Sequence, residues 1–212
     1  MTSRGAATRD RILRTAADLM YVKGVGVTTL DEVRVASGTS KSQLYHHFPD
    51  KEALVREVVR LQGQQLLERQ RQQLARLNSF RGLQRWRDVM LQRNVLRGSA
   101  YGCEIGSLAS ELSDTDEEAR AMLAAHFRSW EELLAAGLAR MRDNGLLRTD
   151  ADPMALAVAV MAAVQGGYLL AQTAHNSEPM AVALDMAIMH VRSYATEQPR
   201  IAAAQSGIAA AS

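Results

Sequence analysis

Apolar positions recur along this chain at the three-and-four spacing of a helical stripe. Over residues 8–23, Ile12, Ala16, Leu19 and Met20 fall on one face, and Gly24 follows as a stop, which predicts an amphipathic helix. Thr29-Leu30-Asp31-Glu32 has the form of a capping box: the Thr hydroxyl accepts from the Glu32 amide and the Glu32 carboxylate reaches back. It opens a helix of about two turns to Ser37, broken by Gly38. Ser40-Lys41-Ser42-Gln43 repeats the form and opens a second short helix through His47. Pro49 cannot continue that helix, and Asp50 is a good N-cap for the next. Longer helices are expected over about 51–77, 80–96, 115–144, 152–175 and 179–195, with a short one over 103–112 and a loop at 97–102. The stretch from Gln198 to the end is small and low in complexity, and residues 199–212 are expected to be a frayed or disordered tail. No alternation long enough for a strand is present. The fold class is therefore all-α: a three-helix N-terminal unit followed by a larger helical domain, with boundaries at 1–50 and 51–198.

Composition agrees with this pattern and adds a charge asymmetry. Of 212 residues, 47% are hydrophobic and only four are Pro, so a packed helical core is available. Residues 1–97 carry 18 Lys and Arg against 9 Asp and Glu. Residues 98–212 carry 7 against 14. A basic first half joined to an acidic second half points the first half at a polyanion. The single cysteine, Cys103, excludes an internal disulfide scaffold and a four-cysteine zinc site. No metal is expected, since His126, His175 and His190 lack ligand spacing, and no cofactor is expected. Nothing resembling a phosphate loop, dinucleotide fingerprint or nucleophile elbow occurs, so an enzyme is not expected. The opening MTSRGAATRDRILR has no apolar run of the secretory type, which points to the cytoplasm. The uncharged stretch 153–174 is long enough to cross a bilayer. Its small residues, Gln165 and Gln172, and the lack of a basic flank favour burial between protein helices instead, with Gly166 and Gly167 permitting close approach.

Two short helices around a Gly-containing turn form the helix-turn-helix pattern, whose second helix places its N-terminal residues in the major groove of DNA. The chemistry suits the role. Thr39, Ser40, Lys41, Ser42 and Gln43 are small or polar at the tip. Gln addresses adenine bidentately, and Lys addresses guanine or phosphate. Tyr45 and His46 donate to phosphates, Thr29 lies at the opening of the first short helix, and Lys51 sits where a helix start already favours an anion.

At this point residues 9–58 resemble the TetR family of bacterial transcriptional regulators. The residues that carry the resemblance are RDRILRTAADLMYVKG, TTLDEV and SGTSKSQLYHHFPDKEAL, above all Leu44-Tyr45-His46-His47-Phe48 and Lys51-Glu52-Ala53-Leu54. Arg34 stands where the family usually has Ala, and Ser42 where Gly is common. The resemblance implies a homodimer that binds an operator in double-stranded DNA and responds to a small effector. The segment 102–112, GCEIGSLASEL, resembles a subgroup, some of whose members respond to multidrug-type or electrophilic compounds. On this reading the protein is a repressor released from a palindromic operator by an apolar or amphipathic effector. Alternatives are sensing of electrophiles or oxidants through Cys103, which otherwise reads as an ordinary partly buried thiol, and DNA binding without an effector.

Met90, Cys103, Met122, His126, Trp130, Met161, Gln165 and Tyr168 are the expected lining of an effector pocket, although the same residue types suit a plain packed core. The two last helices are expected to dimerise through Ala157, Met161, Val164, Leu169, Leu184, Ile188 and Val191, with Gly166 at the crossing.

Overall fold

The computed structural model describes residues 3–196, which form nine α-helices and no strand among the described residues. The expected tail at 199–212 lies outside them. The helices are α1 (Ser3–Lys23), α2 (Leu30–Ser37), α3 (Lys41–His47), α4 (Lys51–Leu74), α5 (Phe80–Leu96), α6 (Glu104–Leu112), α7 (Glu117–Asp143), α8 (Pro153–Ala174) and α9 (Glu178–Arg192). Every expected helix is present. The largest difference is at α1, which starts five residues earlier than expected, because Arg4, Ala6 and Ala7 are exposed helix formers that extend it ahead of its apolar stripe.

Local chemistry sets the ends of these helices. Both expected capping boxes form, at Thr29 with Glu32 and at Ser40 with Gln43, and Asp50, Ser79, Asp116 and Asp152 each accept from amides of the first turn of α4, α5, α7 and α8. Each cap contributes about 1 kcal/mol by satisfying an otherwise orphaned donor. Gly38 ends α2 in the left-handed region at φ +63°, which lets the chain reverse between α2 and α3 at no steric cost.

The apolar stripe of α1 buries Ile12, Leu13, Ala16, Ala17 and Met20 against Val33 of α2, Leu44 of α3, Phe48, and Leu54 and Val58 of α4. Burying each large aliphatic side chain contributes about 1.5–3 kcal/mol, so this small unit holds together on one shared core. The Arg9 guanidinium lies 5.2 Å over the Phe48 ring and pairs with Glu57 of α4 at 2.7 Å. Helix α4 continues past this unit and packs along α7, α7 packs on α8, and α8 on α9.

Helix α8 is long and apolar enough to cross a membrane, but its Leu156, Ala157, Val160, Met161, Val164, Gly167, Tyr168 and Ala171 are buried inside the chain. The close approach belongs to Gly167, where an added Cβ would lie 3.0 Å from Met180 Cα of α9; at Gly166 there is open space.

That packing corrects most of the expected dimer residues. Ala157, Met161, Val164, Leu184, Ile188 and Val191 are at most 4% exposed in one chain, so they already form the α7–α8–α9 core and have no surface to offer a second copy. Of the expected set only Gly166 and Leu169 face outward. The apolar face left uncovered is Met154, Val158, Leu169 and Leu170 on α8, and Val182, Met186 and Met189 on α9.

Candidate nucleic-acid interface and effector site

The tip of α3 is fixed from both sides. Ser40 Oγ accepts from the Gln43 amide at 3.2 Å, and Gln43 Oε1 accepts from the Ser40 amide at 2.9 Å. Behind it, Leu44 and Phe48 are buried in the shared core. The helix therefore presents Ser40, Lys41, Ser42, Gln43, Tyr45 and His46 to solvent as one exposed polar face. Lys41 Nζ sits 5.9 Å over the Tyr45 ring, and His46 meets His47 edge-on. Thr29, the N-cap of α2, is exposed as well. In its capping box Glu32 is held down to about 2 by the Lys23 ammonium and the Thr29 amide, so the cap stays charged at neutral pH.

Two expected members differ. Thr39 is buried, with its hydroxyl 2.9 Å from the Ser37 hydroxyl. It anchors the turn between α2 and α3, where Arg11 of α1 also donates to Ser37 O, and it presents nothing to DNA. Lys51 is half-buried and donates to Gly26 O at 3.1 Å, tying the start of α4 to the loop after α1.

The expected effector residues do not gather in one pocket. Cys103, Gln165 and Tyr168 line a cavity of about 310 Å³ between α6 and α8, together with Gly102, Gly106 and Gln172. Met90, Trp130 and Tyr168 line a cavity of about 10 Å³ on the other side of Tyr168, together with Leu66, Arg69, Arg93 and Glu104. Met122 and His126 lie apart, against α4: Met122 Sδ is near Arg60, and the His126 ring fills the space over Gly63. Met161 is core, its sulfur 3.7 Å from Gln165 Nε2. A larger cleft of about 770 Å³ runs between the start of α4 and the α6–α7 corner; no expected effector residue lines it.

Cys103 is buried, and burial together with the neighbouring Glu104 carboxylate pushes its thiol up to about 11. It is protonated at neutral pH, which is the environment of an inert thiol rather than a reactive one.

A polar cluster joins the two halves of the molecule, and the sequence reading missed it. Glu104 Oε1 accepts from Arg69 of α4 at 3.1 Å, from Arg93 of α5 at 2.6 Å and from Arg97 at 3.0 Å. Burial works to raise the Glu104 pKa, but the three guanidiniums overcome it and hold the carboxyl below its ordinary value. Arg97 also donates to Tyr21 Oη of α1 at 2.7 Å, and Tyr21 Oη donates to Gly102 O. One residue before the end of α6, the Glu111 carboxylate accepts from the Val25 and Gly26 amides, both at 3.0 Å. Helix α6 therefore holds the loop after α1 at one end and the arginine cluster at the other. These partners lie as much as 86 positions apart, and no local pattern announces them.

An all-α chain that carries an exposed, doubly capped polar helix on a basic helix-turn-helix unit is a DNA-binding transcriptional regulator. The comparisons agree and give the family. The profile of bacterial regulatory proteins of the tetR family matches residues 12–58, and that of the C-terminal domain of LmrA/YxaF-like transcriptional regulators matches residues 80–186. The chain is 31% identical to the uncharacterized HTH-type transcriptional regulator YxaF of Bacillus subtilis over 85% of this chain and 92% of that protein. It is 28% identical to the HTH-type transcriptional repressor NemR of Escherichia coli K12 over 87% of this chain and 92% of the repressor. Among solved structures, a TetR regulatory protein from Rhodobacter sphaeroides superposes with TM-score 0.78 at 21% identity, covering 85% of this chain and 97% of that one. The reduced form of E. coli NemR superposes with TM-score 0.75 at 23% identity, covering 91% and 100%. The chain belongs to the TetR family of transcriptional regulators, proteins that act by binding DNA and not as enzymes.

Proposed function

We propose that this protein is a cytoplasmic, homodimeric repressor that leaves a palindromic operator when a small effector binds its larger domain. The unit at 1–50 reads DNA and the unit at 51–198 dimerises and binds the effector. The observation that carries the reading is the exposed face of α3, whose side chains are aimed outward by a buried Leu44 and Phe48 and a capping box. Ser40, Lys41, Ser42, Gln43, Tyr45 and His46 contact the major groove and its phosphates. Thr29 and the start of α4 at Lys51 meet the backbone. Repression is supported by the relatives named as repressors.

Dimerisation uses the uncovered face of α8 and α9. Met154, Val158, Gly166, Leu169 and Leu170 meet Val182, Met186 and Met189 across a two-fold axis, which places four helices side by side. The operator test separates base reading from charge. Gln43 gives up its cap bond to the Ser40 amide when it reads a base, and Gln43→Ala is expected to lose about 1–3 kcal/mol on the preferred operator and little on random DNA. Lys41→Ala is expected to weaken both and to lower the salt slope by about one. Equal weakening of operator and random DNA by Gln43→Ala refutes a base-reading role for Gln43.

A further inference from the structure

The arginine cluster carries more positive charge than its one carboxylate balances. Arg69, Arg93 and Arg97 all converge on a single oxygen of Glu104, and among the described residues no other carboxylate pairs with any of them. Their side chains are only 29–33% exposed. Burial and the like charges of Arg93 and Arg97 lower the Arg69 pKa despite the nearby Glu104. Partly buried charges are stable when paired, and two of these three have no counter-charge of their own.

The same place holds unused hydrogen-bonding groups and an apolar wall. Arg69, Arg93 and Glu104 line the small cavity with Leu66, Val89, Met90 and Trp130. Trp130 is 1% exposed, and its indole N–H has no partner. Gln73 Oε1 on the same lining is also unpartnered, and turning that amide over would present its NH₂ instead. The cavity is about 10 Å³ with the arginines folded onto Glu104, the room of one water. Val89 is exposed at the rim of this lining and Arg69 and Arg93 are partly exposed there, so a ligand would enter by displacing those two flexible side chains from Glu104.

We infer that this cavity is the seat of an amphipathic organic anion, a carboxylate on an apolar body, with the carboxylate on Arg69 and Arg93 and the body against Met90, Leu66 and the Trp130 indole. The inference rests on the reading of the larger domain as an effector domain and names the class of effector. Guanidinium pairs recognise a carboxylate bidentately. The incoming carboxylate competes with Glu104 for the same donors, and Glu104 shares Arg97 with Tyr21 of the DNA-binding unit. Occupancy is therefore felt at α1.

The test is calorimetry on the full-length protein without DNA, with octanoate and phenylacetate as probes against their primary amides. The acids are expected to bind at least about tenfold tighter than the amides. Arg93→Gln is expected to remove that preference, Arg93→Lys to keep part of it, and Glu104→Gln, which takes away the competing carboxylate, to tighten the acids several-fold. Acids that bind no better than amides, or not at all, or a preference that survives Arg93→Gln in a folded protein, overturn the inference. Operator binding by the same unliganded preparation is read separately, so failure of the anion site is distinguishable from failure of the regulator reading.

Discussion

At Gly63 an added methyl would sit 2.2 Å from His126 Cδ2, so helix α4 approaches α7 as closely as it does because that position has no side chain. Alanine is the better helix former by about 1 kcal/mol, yet here overpacking costs about 1–3 kcal/mol and opposes that gain. Gly63→Ala is accordingly expected to destabilise the fold and His126→Ala to relieve it in the double variant, read as the coupling in a double-mutant cycle of chemical denaturation. The His126 ring itself is pushed below its ordinary pKa by burial and then by Arg60. A group whose pKa is lower in the fold than the value near 6.5 it has when unfolded binds more protons unfolded, so its contribution is complete above about pH 6.5 and is lost as the pH falls toward the lower folded value. Stability measured between pH 7 and 5 is expected to fall less steeply in His126→Gln than in the parent protein. An equal slope would place the titration elsewhere.

At the scale of helices, most of the fold was legible because its signals are local. Capping boxes, Asp and Ser N-caps, Gly38 and the Pro residues each act within a turn of where they stand, and they set both ends of α2, α3 and α8 and the start of α4 within a residue or so, whereas α4, which has no such stop signal, ends at Leu74 and not near 77. What the pattern could not supply was the facing of α8. A helix of Ala, Val, Leu and Met with no charged stripe gives no mark of which side is core, and the residues taken for a dimer face proved to be the buried one. Thr39 failed for a related reason: a small polar residue in a turn looks the same whether its hydroxyl faces DNA or Ser37. The corrected facing makes a sharp distinction. Leu169→Glu and Met186→Asp, on the uncovered face, are expected to give folded monomers by light scattering with undiminished helix content. Val164→Asp, which leaves an unpaired charge in the α8 core, is expected to cost several kcal/mol and unfold the larger domain. A dimer that survives both surface changes would move the interface off this face.

Across the whole molecule, the effector domain and the DNA-reading unit are joined by α4, by Glu111 of α6 bonded to the loop after α1, and by the chain Glu104–Arg97–Tyr21–Gly102. An effector shifts DNA affinity only through an element whose arrangement differs between the two states, and α4 alone is a single rigid lever. The Tyr21 chain is a second, breakable one. It is reinforced by the loop that carries it: Gly98, Ser99, Tyr101 and Gly102 all have positive φ, two of them non-Gly residues in a conformation that costs of order 1 kcal/mol or more each. Such a loop persists because the surrounding contacts hold it, and the Tyr21 hydroxyl is one of them. Tyr21→Phe keeps the ring against Tyr101 and under Arg97 but deletes the two hydrogen bonds through Oη. The cost is about 1–3 kcal/mol of stability, too little to unfold a typical domain. If this chain carries the coupling, Tyr21→Phe binds effector as the parent does and releases the operator several-fold less for the same occupancy, because the signal from Glu104 ends at Arg97. Parallel titrations of effector binding and of operator release on one preparation measure that ratio. A ratio equal to the parent's would leave α4 as the route between the two units.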